Sequence, residues 1–445
     1  MTQKSSLPNK VMTMAEVQLR VAKGDTLIIL FDKVYNVSKW LQYHPGGSLA
    51  LQNMAGKDAT DAMIVLHPEW AMEKIHPFYI AHLHENDVKE NAISSDFKKL
   101  NEKFKELGFY RSDPYFWIQE NLKFVAIFSS MIYLAVYCES LWAYYASAVL
   151  AATLWHQMSF VAHDTGHCGV TGNRVIDSLY GIFLASWCGG LSIGWWKLSH
   201  YVHHIITNDP EHDPDIQHLP FMAVTARLTE GLYSTYHKRI MVFDKIAAFF
   251  VARQHYFYYV IMAFGRFNLY AQSLSYALFH DKVFCRPLEI IGMGAFWSWF
   301  LWTISHGPTW YHVLGYVFVS HCCTGLLHVQ ITLSHFGMST VYPEHAETFA
   351  ELGLRTSMDV DCPRWLDWLH GGLQFQVSHH LFPRVPRHHL RTITPYIMEF
   401  AKKHDIPYHT YTFTKGNTFV LQHLQDIANQ VSAILSPDES HISVR

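Results

Sequence analysis

Charged side chains vanish from long tracts of this chain and crowd into others, and that alternation divides it. Residues 1 to about 120 mix polar and apolar positions, as a soluble domain with a following linker does. From Ser140 to Ala162 no Asp, Glu, Lys or Arg occurs over 23 residues. A helix across a bilayer core takes about 20. Phe124 to Cys138 is a shorter apolar run, extended by Asn121 and Leu122. Spans are expected at about 121–138 and 140–162, joined at Glu139 as a tight helical hairpin. Ile290 to Pro343 holds 54 residues without one charge. His306-Gly307-Pro308 breaks it, since Gly and Pro punctuate. Two further spans are expected, about 290–305 and 309–335.

Two more apolar stretches are ambiguous. Residues 178–196 are uncharged but contain Gly181, Gly189, Gly190 and Gly194, and 254–265 is short and flanked by Arg253 and Arg266. Histidine clusters lie on both sides of 178–196. A full crossing there would put them on opposite membrane faces, which a shared metal centre forbids. Both stretches are therefore expected to be interfacial or re-entrant, with a six-span chain as the alternative. Four spans place both termini and all 34 Lys and Arg on one side. The positive-inside rule makes that side the cytosol. The expected organisation is a polar tail (1–9), a small domain (10–85), a linker (86–120) and a membrane domain with a cytosolic helical cap (121–415). A C-terminal helix and tail (416–445) follow. The fold class is mostly α.

Composition agrees. Hydrophobic residues reach 50% and charged ones 16%, against about 25% charged in ordinary soluble domains. Aromatics at 15% suit interfacial belts. Net charge is −3 with no basic block, which argues against nucleic acid. The seven cysteines form no C-x-x-C pair, so neither a disulfide framework nor a zinc finger is expected.

Residues 10–85 carry their own chemistry. A strand-like run, Thr26 to Phe31, and Val34-Tyr35-Asn36-Val37 precede His44-Pro45-Gly46-Gly47, and His67 follows 23 residues after His44. A haem that carries electrons takes two strong axial ligands, leaving no open site for oxygen. This segment resembles cytochrome b5 over nearly its whole length. The resemblance implies an α+β domain with haem b between His44 and His67, passing one electron at a time. The acidic helix around Asp58 and Asp61 is expected to receive a reductase.

Three further clusters sit beside the apolar spans. His163-Asp164-Thr165-Gly166-His167 spaces two rings at i, i+4, on one helix face. His200-Tyr201-Val202-His203-His204 does the same. Gln376-Val377-Ser378-His379-His380 repeats that pattern with Gln in first place, and His335 ends the last span. Eight histidines and a glutamine are too many for one zinc, which takes four ligands. Two six-coordinate metals fit the count. Imidazole suits iron, copper or zinc, and a fused electron carrier selects the redox metal, iron. Asp164, Asn208, Asp213 and Asp215 are candidates to hold the rings from behind, or simply to cap helices. His156, His212, His218 and His328 are lesser candidates. Aromatic residues of 178–196 and 248–270 are candidates to line a lipid tunnel, or to anchor the chain at the interface.

The three histidine boxes, with Gln opening the third and a cytochrome b5 segment in front, resemble the front-end desaturases over residues 10 to about 415. Trp155-His156-Gln157, Gly194-Trp195-Trp196-Lys197 and the stretch from Asn208 to His218 are similar to fungal Δ8 sphingolipid desaturases. The resemblance implies iron ligands His163, His167, His200, His203, His204, His335, His379 and His380, with Gln376 joining directly or through water. It implies a multi-pass enzyme of the endoplasmic reticulum that uses O2 and two irons. Electrons would come from NADH through cytochrome b5 reductase, and a trans double bond would enter C8 of the long-chain base of ceramide. The alternatives are a Δ5/Δ6-type fatty acyl desaturase, a di-iron lipid hydroxylase, and a non-catalytic membrane haem carrier.

Overall fold

The computed structural model describes residues 10–340 and 348–435; the 1–9 tail and the end of the C-terminal tail lie outside it. The N-terminal unit is a four-stranded sheet with short helices. Its strands are β1 (Val11–Met12), β2 (Leu27–Leu30), β3 (Lys33–Asn36) and β4 (Tyr79–Leu83), in the order β1-β4-β3-β2. β2 and β3 pair antiparallel, Ile28 opposite Tyr35. Phe31 and Asp32 turn between them with φ of 50° and 59°, the conformation a two-residue hairpin loop demands. Val34 and Ala81 are fully buried on one face and Tyr35 on the other, so the sheet packs on both sides. Helix α1 (Thr60–Leu66) closes one of those sides.

The segment expected as a linker holds helix α2 (Ala92–Glu106). Phe97, Asn101 and Phe104, at i, i+4 and i+7, have no exposed surface, so this helix packs by one stripe. Ser94 Oγ donates to Asp61 Oδ2 at 2.7 Å. Asp61 is thus buried against α2 and does not present its charge to a reductase, contrary to expectation. The residue looked like a surface acid because its partner lies 33 residues away.

Four long helices follow the expected apolar tracts: α3 (Pro114–Val136), α4 (Leu141–Gly166), α7 (Arg286–Ile304) and α8 (Trp310–Leu333). α3 starts earlier than the apolar run because Asp113 caps it, accepting from Tyr115 N–H at 2.9 Å, and Pro114 takes the first turn. Among the described residues only α8 is long and apolar enough, by length and composition, to cross a membrane. Polar hydrogen bonds tie the four together, and Ser147 Oγ of α4 donates to Met131 O of α3 at 2.7 Å. Ser147 Oγ meets Tyr316 Oη at 2.9 Å, and Tyr144 Oη donates to Ile304 O at 2.6 Å.

The stretch 178–196 does not form one helix. A helical run ends in a π-turn at Phe183–Trp187, and α5 (Ile193–Ile205) starts afresh. Buried Glu289 of α7 anchors that start, accepting from Ser192 Oγ at 2.5 Å and Gly194 N–H at 2.9 Å. A carboxylate suits a helix N-terminus. The stretch 254–265 belongs to α6 (Gln254–Phe279), 26 residues long. Arg266 looked like a boundary, yet it is 1% exposed inside α6. It donates to Gly189 O at 2.6 Å and to Tyr270 Oη at 2.8 Å, and stacks over Trp155. A last helix, α10 (Phe413–Leu435), packs along α6; Gln254 Nε2 donates to Leu424 O at 2.9 Å.

Candidate metal centre and haem pocket

Each histidine box is delivered by the end of a rigid element. His163 lies in the last turn of α4 and His167 caps it. α5 carries His200, His203 and His204. His335 stands just past α8, and the short helix α9 (Gln376–Leu381) supplies Gln376, His379 and His380.

These residues, distant in sequence, converge into two groups. His163, His167, His200, His204 and His379 form one, and His203, His335 and His380 the other. Within each group the ring nitrogens lie inside 4.8 Å of one another. His204 Nε2 is 3.0 Å from His200 Nε2 and 3.1 Å from His379 Nε2. The amide of Gln376 sits beside the second group, 3.2 Å from His335 Nε2 and 3.3 Å from His380 Nε2.

The rings fit metal ions. Nε2 of His163, Nε2 of His167 and Oε1 of Gln376 are buried without a hydrogen-bond partner. Buried polar atoms nearly always have one, and a cation would supply it. Burial holds the rings of His200, His204, His379 and His380 well below the usual imidazole range. They are therefore neutral, the form that binds metal.

The supports behind the rings partly differ from expectation. Asp213, wholly buried, accepts from His203 Nδ1 at 2.9 Å and from Asn208 N–H at 2.7 Å. Burial pulls the His203 ring down, but the Asp213 and Asp215 carboxylates outweigh it and push the ring to about 9, so unlike the other four rings it must release a proton when a metal binds. Asp215 lies 3.8 Å from His200 Nδ1 and 3.9 Å from His203 Nδ1, beyond a direct hydrogen bond. Asn208 braces the carbonyls of His335 and Ser339 and touches no ring. Asp164 faces Arg387 at 3.4 Å rather than a box histidine. At i+1 from His163 it points off the other side of α4. Two supports were invisible in the sequence: Thr356 O accepts from His335 Nδ1 at 3.0 Å, and Thr207 Oγ1 lies 3.2 Å from His380 Nδ1. A main-chain carbonyl has no residue-type signature. Replacing Asp213 by Ala should weaken metal retention by about 10–100-fold, measured as iron remaining after dialysis against a chelator.

The lesser histidines stand outside both groups: His156 bonds Gln330 at 2.8 Å, His212 bonds Asp209 at 2.9 Å, His218 meets Asp215 O at 2.8 Å and His328 meets Met262 O at 2.7 Å.

A cavity of about 890 Å³ opens onto the metal site, with His163, His200, His203, His335, Gln376 and His379 in its wall. Leu184, Trp195 and Trp196 from 178–196, and Phe250, Phe257 and Phe264 from 248–270, form apolar wall. The two stretches named as tunnel candidates therefore do meet around one space.

In the N-terminal unit the rings of His44 and His67 face each other, centroids 6.0 Å apart. His44 Nδ1 donates to Gly47 O at 2.9 Å, leaving Nε2 free as a ligand. Burial lowers both rings, His67 to about 4. Gly47 has φ +87°, and a Cβ on Gly46 would stand 2.9 Å from His44 Cε1. Glycine at both positions lets the loop fold under its own ligand. Paired neutral rings with one gap between them fit a six-coordinate haem iron.

Comparison with known proteins follows the same division. The fatty acid desaturase family matches residues 140–412, and the cytochrome b5-like haem/steroid binding domain matches residues 13–84. The chain is 35% identical to a Delta 8-(E)-sphingolipid desaturase of Kluyveromyces lactis, covering 96% of this chain and 94% of that protein. It is 44% identical to the Candida albicans protein of the same name, over 78% of this chain and 60% of that one. A Delta(8)-fatty-acid desaturase of Helianthus annuus is 37% identical over 98% of this chain and 95% of its own length.

Proposed function

Because the chain belongs to the fatty acid desaturase family, with a cytochrome b5 domain fused at its N-terminus, we propose that it inserts a trans double bond at C8 of the long-chain base of ceramide. The observation that carries the reaction class is the convergence of eight histidines into two groups, with five of them and Gln376 in the wall of one apolar cavity. The substrate reading rests on the likeness to the sphingolipid desaturases along most of the chain.

Two irons bound by these rings, with haem b as their electron source, would supply the power to activate O2 and remove hydrogen from an unactivated methylene. The chain's own residues do the rest. His163, His167, His200, His204 and His379 would hold one ion, and His203, His335 and His380 would hold the other with Gln376. Asp213 and the Thr356 carbonyl fix the tautomers of His203 and His335. The apolar wall excludes water and presents one stretch of the lipid chain to the metal side, which is what selects the carbon. A cytochrome b5 reductase would oxidise NADH and pass its electrons, one at a time, to the haem.

The enzyme is placed in the endoplasmic reticulum membrane on four spans, α3, α4, α7 and α8, with the boxes and haem domain cytosolic. Exposed aromatic residues at the far turns, Tyr137, Trp142, Trp310 and Tyr311, suit a membrane-water interface. α6 would lie in the other interface. Tyr256, Val260, Phe264, Phe267, Leu274 and Leu278 make an exposed apolar stripe along it. Its start packs on α10, and the loop after it touches the haem domain through Lys282 and Gln42. Both ends thus meet elements assigned to the cytosolic side.

The test is expression in a yeast without Δ8-unsaturated bases, followed by mass spectrometry of long-chain bases and fatty acids. New Δ8-trans bases are expected. Unsaturation confined to fatty acids would overturn the sphingolipid reading, and hydroxylated product alone would make the protein a hydroxylase.

A further inference from the structure

The haem domain shares a hydrophobic core with the metal-binding domain. Val65 of α1 is fully buried in one cluster with Phe97 and Phe104 of α2 and with Leu381 and Phe382. The last two directly follow His379 and His380. Polar contacts pin the same interface. Arg384 Nη1 donates to the carbonyl of His67 at 2.8 Å. Lys282 Nζ donates to Gln42 O at 2.6 Å and sits over the Tyr43 ring at 5.0 Å. Each haem ligand, or its near neighbour, is therefore held by the membrane domain.

A shorter link runs through the other box. A Cβ on Gly46 would be 3.5 Å from Tyr201 Cδ2, and one on Gly47 would be 3.0 Å from Leu198 Cδ1. Tyr201 lies next to His200 in α5 and donates its hydroxyl to Gly166 O. Its ring stands edge-on to that of His167, centroids 6.0 Å apart. One side chain thus stands between the loop after His44 and a histidine of the first metal group.

We propose that the haem domain is permanently docked, with Arg384 and Lys282 as clamps, and that electrons cross within the chain at Tyr201 without a swing of the domain. This rests on the desaturase reading above. Each crossing takes one electron from ferrous haem, leaving it ferric, and reduces one ferric non-haem ion to ferrous; no bond breaks. Two crossings, two protons and the two hydrogens of the substrate reduce one O2 to two waters. Arg384, Lys282 and Tyr201 are positioning residues, since none touches the substrate.

The full-length protein, loaded with haem and iron, is flash-reduced at the haem without O2, and haem reoxidation is followed by absorbance. Domain movements run on the μs–ms scale and are slowed by viscosity, so the wild-type rate should not change in glycerol. In Arg384→Ala/Lys282→Ala, a docked fraction reduced to one-tenth would slow reoxidation about tenfold and make it viscosity-dependent, with the haem potential and iron content unchanged. Tyr201→Phe, which keeps the ring, should retain the rate, whereas Tyr201→Ala should lose most of it. A wild-type rate that falls with viscosity, or a double variant as fast as wild type, would overturn the docked route. A Tyr201→Ala rate equal to wild type would remove Tyr201 from it. Absent reoxidation together with absent non-haem iron would instead sink the desaturase reading underneath.

Discussion

His203→Ala is expected to abolish double-bond formation while leaving the haem spectrum unchanged. Two losses coincide at this position. The second metal group keeps only His335 and His380 as rings, with Gln376 beside them. Asp213, with no exposed surface, loses the imidazole it accepts from. A buried group robbed of its partner costs about 1–3 kcal/mol, more when charged, and nothing in an alanine recovers it. The haem pocket is separate, because the His44 ring is held by the Gly47 carbonyl and faces His67 within residues 10–85, away from the metal groups. The measurement is product by mass spectrometry, non-haem iron by metal analysis and the haem absorbance on one sample. Product at the wild-type level would remove His203 from the ligand set.

The second large effect is the mirror image. His44→Ala should lose the haem band and all NADH-driven product, yet keep its non-haem iron. One ring of a facing pair cannot provide two axial ligands, and the Gly46-Gly47 loop has lost the ring it folds around. The histidine groups stay, since none of their supports comes from residues 10–85. A chemical reductant that bypasses the haem should therefore still drive a single turnover. Product at the normal rate with NADH would show that the fused haem is not the electron source.

The histidines that converge could be read from the sequence because helical spacing is a local rule: i, i+3 and i+4 place rings together whatever the rest of the chain does. Their supports could not, because Asp164 and Asp213 look alike as types and only tertiary packing decides which one reaches a ring. Charge served well as a guide to the apolar helices and badly at Arg266. That residue broke a pattern without breaking a helix, since Gly189 O, Tyr270 and Trp155 accommodate it inside the fold. The supposed linker was misjudged in the same way. Its many charges hid the stripe of Phe97, Asn101 and Phe104 that builds it into the core.

The bond from Arg384 to the His67 carbonyl spans 317 residues of chain. Ribosomes add about 5–20 residues per second, so the haem domain emerges roughly 15–60 s before its partner segment exists. For that time Val65 and its neighbours are covered only from the side of Phe97 and Phe104 of α2, while the four long helices are still being made. Closing such a long loop last is slow in general. The final act of biogenesis would then be the seating of an already formed electron carrier onto the freshly made third box, and a truncation just before residue 376 would strand both halves.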